Sequence, residues 1–168
     1  MKLKRLFCLF GIMATMQGHA YDFDVNGIYY NKTGDNTVEV TFVESGEGNA
    51  DFYYGTVTIP NRVSKDGITY TVTAIGWNAF NHCTNLTKVN IGENVTSIGS
   101  WAFAFCSSLT SITLPSGVTS IGDNAFSVCS SLTSIALPSA VTSIGEQSFS
   151  GCSNLKSLFV SSETSPAR

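Results

Sequence analysis

Charge and histidine are both scarce in this sequence of 168 residues. Only 12% of the residues are charged, about half the share usual in globular proteins. The two histidines are His19 and His82, and a Ser-His-Asp or Cys-His catalytic pair would depend on His82, since His19 lies in the predicted leader. Nucleotide-binding glycine loops, the zinc-peptidase motif and the esterase serine motif are also missing. We therefore predict a protein that is not an enzyme and that uses no cofactor or metal.

Long apolar runs are confined to the N-terminus. Three basic residues precede an apolar run from Leu6 to Met16, and small residues follow as far as Ala20, which is the pattern of a secretory signal peptide. The run is shorter than the ~20 apolar residues that a spanning helix needs. We expect residues 1–20 to be cleaved after Ala20, and the mature protein to be secreted or at the cell surface without a membrane span.

Positive charge is in short supply beyond that leader. Of nine Lys and Arg residues three lie in the leader, so six remain against twelve acidic residues. Most of the acids lie between Asp22 and Asp66, which leaves the rest of the chain close to neutral. Nucleic acids and anionic membranes select for basic patches, and we predict neither as a partner.

What the sequence has in abundance is internal repetition. The stretch from Val118 to Ala140 recurs three more times at a spacing of 23 residues, and a fixed period of this length is typical of solenoids. We predict a mostly β leucine-rich repeat solenoid followed by a short tail at 164–168. Its four predicted coils span residues 72–94, 95–117, 118–140 and 141–163.

Each coil divides into a strand, a glycine turn and an aromatic segment. The strand pattern is Leu-x-x-Ile-x-Leu, as at Leu109, Ile112 and Leu114, with alternate residues facing inward. Gly122 and its equivalents hold a position where a side chain is unfavourable. The Ala-Phe-x-x-Cys portion has helical spacing and predicts one short turn, irregular or helical or 3₁₀-like. Stacked ~4.8 Å apart, the coils are expected to form a buried aromatic spine of Phe80, Phe103, Phe126 and Phe149.

Residues 21–71 alternate with a period of two instead of 23. Asn26-Gly27 is a tight-turn signal between two short strand patterns. We predict a small N-terminal β cap that covers the open end of the first coil. The run from Asp22 to Gly27 also matches the first half of a calcium loop, but Thr33 stands where a bidentate glutamate would close the metal shell. That mismatch favours a strand and turn.

Four cysteines occupy one column of the coils and allow two main interpretations. An even count in an exported protein is typical of disulfides, and neighbouring coils would place the Cα atoms within bonding range. The column is nevertheless flanked by Phe and Leu and resembles a small apolar position. We favour reduced core thiols over disulfides, and a shared metal site less than either, because four coils span too far for one tetrahedron. The cysteines are Cys83, Cys106, Cys129 and Cys152.

The repeats resemble those of the bacterial BspA-type leucine-rich repeat proteins. The residues that carry the resemblance recur in register from Val72 to Glu163, and in one coil they are Ile121-Gly122, Ala125-Phe126, Cys129, Leu132, Ile135, Leu137-Pro138 and Val141. The preceding segment looks like the cap found before such repeats in gut-dwelling Bacteroidetes. The resemblance implies a solenoid at the cell surface or secreted, associated with adhesion to host proteins or other cells.

Candidate binding residues lie where the coils differ. The outward strand positions form a flat and mostly uncharged face, with the candidates Lys88, Asn90, Ser111, Thr113, Ser134, Ser157 and Phe159. A second set, near the phenylalanine column, contains Trp77, His82, Trp101 and Phe105. Exposed aromatic groups stack on sugars or anchor protein contacts. The alternative is that the aromatic residues pack beneath the N-terminal cap.

We therefore predict a non-enzymatic extracellular module that binds a host or cell-surface protein or glycan through its repeat surface. The competing prediction is a structural module, since the last coil lacks a polar capping repeat in the sequence and is expected to associate with a second copy.

Overall fold

The computed structural model describes residues 21–42 and 53–161. Within these ranges all regular structure is β-strand and no residue is helical, so the prediction of a mostly β chain is confirmed. The strands are β1 (Phe23–Val25), β2 (Ile28–Gly34), β3 (Thr37–Thr41), β4 (Gly55–Thr58), β5 (Arg62–Lys65), β6 (Ile68–Ile75), β7 (Leu86–Asn90), β8 (Ser97–Ile98), β9 (Ser111–Thr113), β10 (Ser120–Ile121), β11 (Ser134–Pro138), β12 (Ser143–Ile144) and β13 (Ser157–Ser161).

Two parallel ladders form the long faces of the molecule. In the isoleucine face, β6, β8, β10 and β12 pair in order, so that Ile75, Ile98, Ile121 and Ile144 form one column. In the strand face, β4, β7 and β9 pair in parallel, β11 lies beside β9, and β11 pairs with β13. The chain passes from one face to the other in each coil, which is the stacking that the 23-residue period predicts.

The N-terminal residues form an antiparallel hairpin. β1 pairs with β2 across Asn26 and Gly27, whose φ angles of 53° and 79° are both left-handed, as a type I′ hairpin turn requires. The Asp22 carboxylate accepts the Lys32 backbone N–H at 2.7 Å, so it ties the ends of the hairpin together. The prediction of a strand and turn in this segment, in preference to a calcium loop, is therefore confirmed.

The solenoid begins before residue 72, inside the segment predicted to be a separate cap. β3 pairs in parallel with β6, and β4 pairs in parallel with β7, so the segment supplies a strand to each face. The Asn90 side-chain amide donates to the Thr58 hydroxyl across a separation of 32 residues, whereas later coils repeat after 23. The antiparallel hairpin of β5 and the first half of β6 accounts for the extra length.

The core is the continuous stack of apolar columns between the two faces. Phe80, Phe103 and Phe126 are fully buried, and their rings stack in parallel with Phe149 at centroid distances of 5.1 to 5.4 Å. Tyr53 packs on Phe80 at 4.6 Å and extends the row toward the N-terminus. Burying one such ring contributes about 1.5 to 3 kcal/mol relative to exposure, so the predicted spine accounts for much of the core.

The turn segments are irregular, and none of their residues is helical or 3₁₀. Each turn segment alternates bonds within its coil, such as Cys83 N–H to the Phe80 carbonyl, with bonds to the next coil, such as Phe80 N–H to the Ala102 carbonyl. Two left-handed residues per coil, as at Asn78 (φ 58°) and His82 (φ 60°), interrupt any helical path. Pairing with the neighbouring coil therefore prevails over the local helical spacing. The turn segments are residues 76–83, 99–106, 122–129 and 145–152.

The glycine column is explained by the close approach of successive coils. A Cβ on Gly99 would lie 2.7 Å from the Gly76 carbonyl carbon and 2.8 Å from the Trp77 nitrogen. One on Gly122 would lie 2.8 Å from the Gly99 carbonyl carbon. The φ angles of these glycines are not left-handed, so the unfavourable side chain predicted at this position is a matter of space between backbones.

Hydroxyl side chains also bond from coil to coil. The Oγ1 atoms of Thr96, Thr119 and Thr142 each donate to the backbone carbonyl 23 residues earlier, at 3.2 to 3.3 Å. Thr110 makes the same bond to the Thr87 carbonyl. Short neutral donors thus satisfy carbonyl groups along the exposed edges, which explains why Ser and Thr replace charged residues in the repeats.

Candidate binding surface

The strand face presents the first set of candidate residues in straight rows. Lys88 pairs in register with Ser111, and Asn90 with Thr113. Farther along, Ser134 pairs with Ser157, and the residue beside Phe159 is Ala136. All seven candidates on this face are exposed. Because β4 joins the same sheet, Thr56 and Thr58 add another exposed rung, which the sequence analysis assigned to the cap.

The turn segments bring three of the four aromatic candidates together. His82 and Phe105 stack with ring centroids 4.4 Å apart and planes 5° from parallel. Trp101 lies beside Phe105 at 6.5 Å, with its plane tilted by only 11°. His82 is exposed, while Trp101 and Phe105 are half-buried. We call these three side chains the aromatic row.

The backbone beneath the aromatic row is left-handed at each of its residues. Trp101 has φ 61°, Phe105 has φ 60° and His82 has φ 60°. In the following coils the same two columns contain Asn124, Val128, Gln147 and Gly151, all with positive φ. Asn and Gly tolerate this conformation, whereas bulky residues are strained in it. Two columns of the repeat thus place large side chains where the backbone favours small or amide ones.

Trp77 stands apart from the aromatic row. Its indole contacts Phe42 at 5.3 Å with the planes 80° apart, and the side chain remains 55% exposed. The contact of Trp77 with Phe42 agrees with the alternative that the aromatic candidates pack beneath the N-terminal segment. More than half of the Trp77 side chain nevertheless stays in solvent. The rings of Trp101 and Phe105 are neighbours, whereas the indole of Trp77 contacts Phe42.

The cysteines in the structure are free thiols in a single interior column. Cys106, Cys129 and Cys152 donate to the carbonyl oxygens of Phe80, Phe103 and Phe126, at 3.0 to 3.1 Å. Burial raises the pKa of Cys83 to about 12, and it raises the pKa of Cys106 well above the ordinary value. The Cys83 and Cys106 thiols therefore remain protonated at neutral pH and act as small core residues, whereas a hydrogen bond with Cys129 lowers the pKa of the half-buried Cys152 thiol to about 7.

Carboxylates border the column that follows the conserved glycines. Glu39 is half-buried beside Gly76, and burial raises the pKa of its carboxyl group, although a hydrogen bond with Asn31 partly offsets this. The Asp123 carboxylate accepts the Glu146 backbone N–H at 2.8 Å. Glu39 was absent from the predicted site because its position beside Gly76 depends on the pairing of β3 with β6, which no local pattern reveals.

No group of three His, Cys, Asp or Glu residues in residues 21–42 and 53–161 is arranged to hold a metal ion. Nor does the described part contain a helix long and apolar enough to cross a membrane. The exposed features of the described residues include the strand face and the aromatic groups.

Solved structures similar to this chain are bacterial leucine-rich repeat proteins. One from Bacteroides capillosus is 25% identical with a TM-score of 0.68, and the match covers 83% of this chain and 98% of that one. One from Bacteroides ovatus is 29% identical with a TM-score of 0.55, over 83% of this chain but only 41% of that one. The pneumococcal vaccine antigen PcpA shares the fold at 23% identity and a TM-score of 0.61, over 86% and 39% of the two chains. No curated protein matches the chain.

A family model extends the likeness from fold to sequence. The BspA type leucine rich repeat region matches in six copies over residues 55–166. The match starts at the first residue of β4, 17 residues before the first coil predicted from the 23-residue period, in agreement with the parallel pairing of β4 and β7. It covers more than half of the chain. The chain belongs to the BspA-type leucine-rich repeat family.

Proposed function

We propose that the protein is a non-enzymatic, exported binding module that recognises a protein or glycan through its exposed repeat surface. Membership in a leucine-rich repeat family supports a binding scaffold, and the apolar leader in the sequence supports export. The flat strand face and the aromatic row supply the contact surface.

The observation that carries this proposal is the aromatic row on a left-handed backbone. A bulky residue with positive φ costs of the order of 1 to 2 kcal/mol. The same columns accept Asn124 and Gly151, which avoid most of that cost. Retaining Trp101 and Phe105 there exchanges stability for exposed aromatic surface, and aromatic residues are enriched among those that dominate binding energy.

The stacking of the row decides which parts of the rings meet a partner. His82 and Phe105 are nearly parallel at 4.4 Å, so each covers one face of the other. The row therefore offers ring edges and the outer faces of its members, while Trp77 offers a larger exposed area. Ring edges suit a protein surface with carbonyl groups, and open ring faces suit a sugar.

The test is a binding array of glycans and extracellular proteins, probed with the folded chain lacking residues 1–20. The informative variant carries Trp101→Asn and Phe105→Gly, because each replacement occurs in the same column of another coil. We expect it to retain its circular dichroism spectrum and to lose at least one array signal by about tenfold or more. Ser139→Ala, at an exposed position off both surfaces, is the control and should bind like the wild type. Identical array profiles for the wild type and the double variant would contradict a role for the row.

A second candidate function is assembly through the C-terminal coil. Ile144, Leu158, Phe159 and Val160 are all exposed there, between 47% and 66%, in the last described strand of each face. Exposed apolar groups of this extent favour association. Light scattering over a range of concentrations distinguishes this function, since a monomer at every concentration excludes it. A dimer that Leu158→Ser converts to monomer supports it.

A further inference from the structure

One edge of the solenoid combines an exposed tryptophan with carboxylates on successive coils. Backbone proximity places its members in order, since Glu39 lies against Gly76, Gly99 against Trp77, Gly122 against Ser100, and Gly145 against Asp123. Coils spaced ~4.8 Å apart make this edge about 19 Å long from its first to its last member. We call it the acidic edge, and it consists of Glu39, Trp77, Ser100, Asp123 and Glu146.

Trp77 is the largest exposed apolar group of the acidic edge. Phe42 meets the indole nearly at right angles, 5.3 Å away, which holds the ring in place while more than half of the side chain stays in solvent. Its neighbours in the column are short and polar, so nothing as large flanks the indole within that column. A fixed aromatic ring on an edge whose later coils carry carboxylates is a surface that attracts a cation.

Charge is distributed unequally between the two sides of the solenoid. The turn segments contain Asp123 and Glu146 but no Lys or Arg in any of the four coils. The strand face, by contrast, carries Lys88 on β7, and Lys156 directly precedes β13. Both carboxylates of the turn segments are exposed. The acidic edge is therefore complementary to positive charge, and the strand face is not.

We infer that the acidic edge binds an extended cationic segment of a protein partner, with an arginine or lysine side chain against Trp77. This inference rests on the proposed binding function and names the partner's chemistry. An extended chain rises ~3.3 Å per residue, so about six residues would span the edge. Guanidinium and ammonium groups gain both a cation–π contact with the indole and hydrogen bonds to the carboxylates. A neutral segment would gain neither.

A fluorescent hexapeptide of alternating arginine and serine tests the inference by anisotropy at low salt. We expect it to bind the wild-type chain, and to bind more weakly as salt rises because exposed charges are screened. Trp77→Ser should weaken binding about fivefold. Asp123→Asn combined with Glu146→Gln should also weaken it, and Asn keeps the oxygen that accepts the Glu146 N–H. The matched control is Arg62→Gln on β5, an exposed position outside both proposed surfaces, which should bind the peptide at least as well as the wild type.

The outcomes separate this inference from the proposed function. The inference that the acidic edge binds a cationic segment is overturned if the peptide fails to bind. It is also overturned if the Trp77 and carboxylate variants bind the peptide as well as the wild type does. The proposed function then still stands if the array shows a ligand that depends on Trp101 and Phe105. If the array shows no ligand either, both fail. A peptide of alternating glutamate and serine must not bind, since its binding would show that charge does not select the partner.

Discussion

The middle coils and the last coil are built from the same repeat, yet equivalent residues have different environments. Ile98 and Ile121 are at most 2% exposed, whereas Ile144 in the same column is 47% exposed. Phe126 is fully buried and Phe149 only partly, although their rings stack at 5.4 Å. The burial of a repeat residue thus depends on the coil that follows it. Equivalent residues therefore contribute different amounts to the free energy of unfolding in different coils.

The largest difference between the middle coils and the last coil is expected in the stability lost when a phenylalanine of the aromatic spine is replaced. Phe103→Ala should lower the free energy of unfolding by about 3 to 5 kcal/mol, because it leaves a cavity between two stacked rings. Phe149→Ala should cost less than half as much, since solvent already reaches that ring. Urea unfolding followed by circular dichroism measures both. Equal losses at the two positions would show that burial does not differ between the coils.

The glycine column should give the next largest effect. Gly99→Ala places a methyl group against the Gly76 and Trp77 backbones and should destabilise the fold by about 1 to 3 kcal/mol. Gly117→Ala is the matched control, because its Cβ would meet nothing closer than 3.9 Å. The control is expected to be neutral or to stabilise by up to about 1 kcal/mol. Thermal melts of both variants decide whether glycine is required in this column because of the close approach of the neighbouring backbone or because of its conformational flexibility.

The half-buried Glu39, at the N-terminal end, is expected to make the free energy of unfolding depend on pH. Because burial raises its pKa above 4.5, the folded chain binds its proton more tightly than the unfolded chain does. The resulting stabilisation is present below pH ~4 and is lost as the pH rises through the folded-state pKa. Glu39→Gln should therefore be more stable than the wild type at pH 7, by less than about 1 kcal/mol for a half-exposed group.

The measurement for Glu39 is a set of urea unfolding curves from pH 4 to pH 7. The difference between the variant and the wild type should shrink toward the acidic end, where the carboxyl group is protonated in both states. If the difference in unfolding free energy between the variant and the wild type were constant across this range, the charge of Glu39 would not be its cause.

Backbone strain is expected to lower stability where the left-handed columns contain unsuitable residues. Val128 has φ 58° and is β-branched, so Val128→Asn should stabilise the fold by about 0.5 to 1 kcal/mol. The reverse change at the other left-handed column, Asn124→Val at φ 54°, should destabilise it by about 1 to 2 kcal/mol. The two melting temperatures should therefore move in opposite directions, and a shift in the same direction would contradict backbone strain as the cause.

Much of the fold was predictable because a repeat presents each interior column several times. The isoleucine, phenylalanine and cysteine columns, the parallel stacking and the outward positions of the strand face all follow from the period and from alternation along a strand. The hairpin turn at Asn26-Gly27 was predictable from two residues whose backbone preferences are unusual. These features depend on local pattern or on repetition.

The candidate site was predictable only in part. The variable aromatic residues were identified from sequence, but not their division into Trp77 with Phe42 and the stacked row of His82, Phe105 and Trp101. A signal for the left-handed columns was present in Asn78, Asn124 and Gly151, since Asn and Gly are the residues that adopt this conformation most readily. Glu39 had no such signal.

By itself, the sequence determined the period, the composition of each interior column and the faces on which variable residues lie. These properties follow from which side chains are apolar and how they are spaced. The tertiary structure alone decided the backbone of the turn segments, the start of the solenoid at β4 and the exposure of each copy. The reason is that hydrogen bonds and contacts between coils, formed by residues at least 22 positions apart, prevail over the local helical spacing and give identical sequence positions different surroundings.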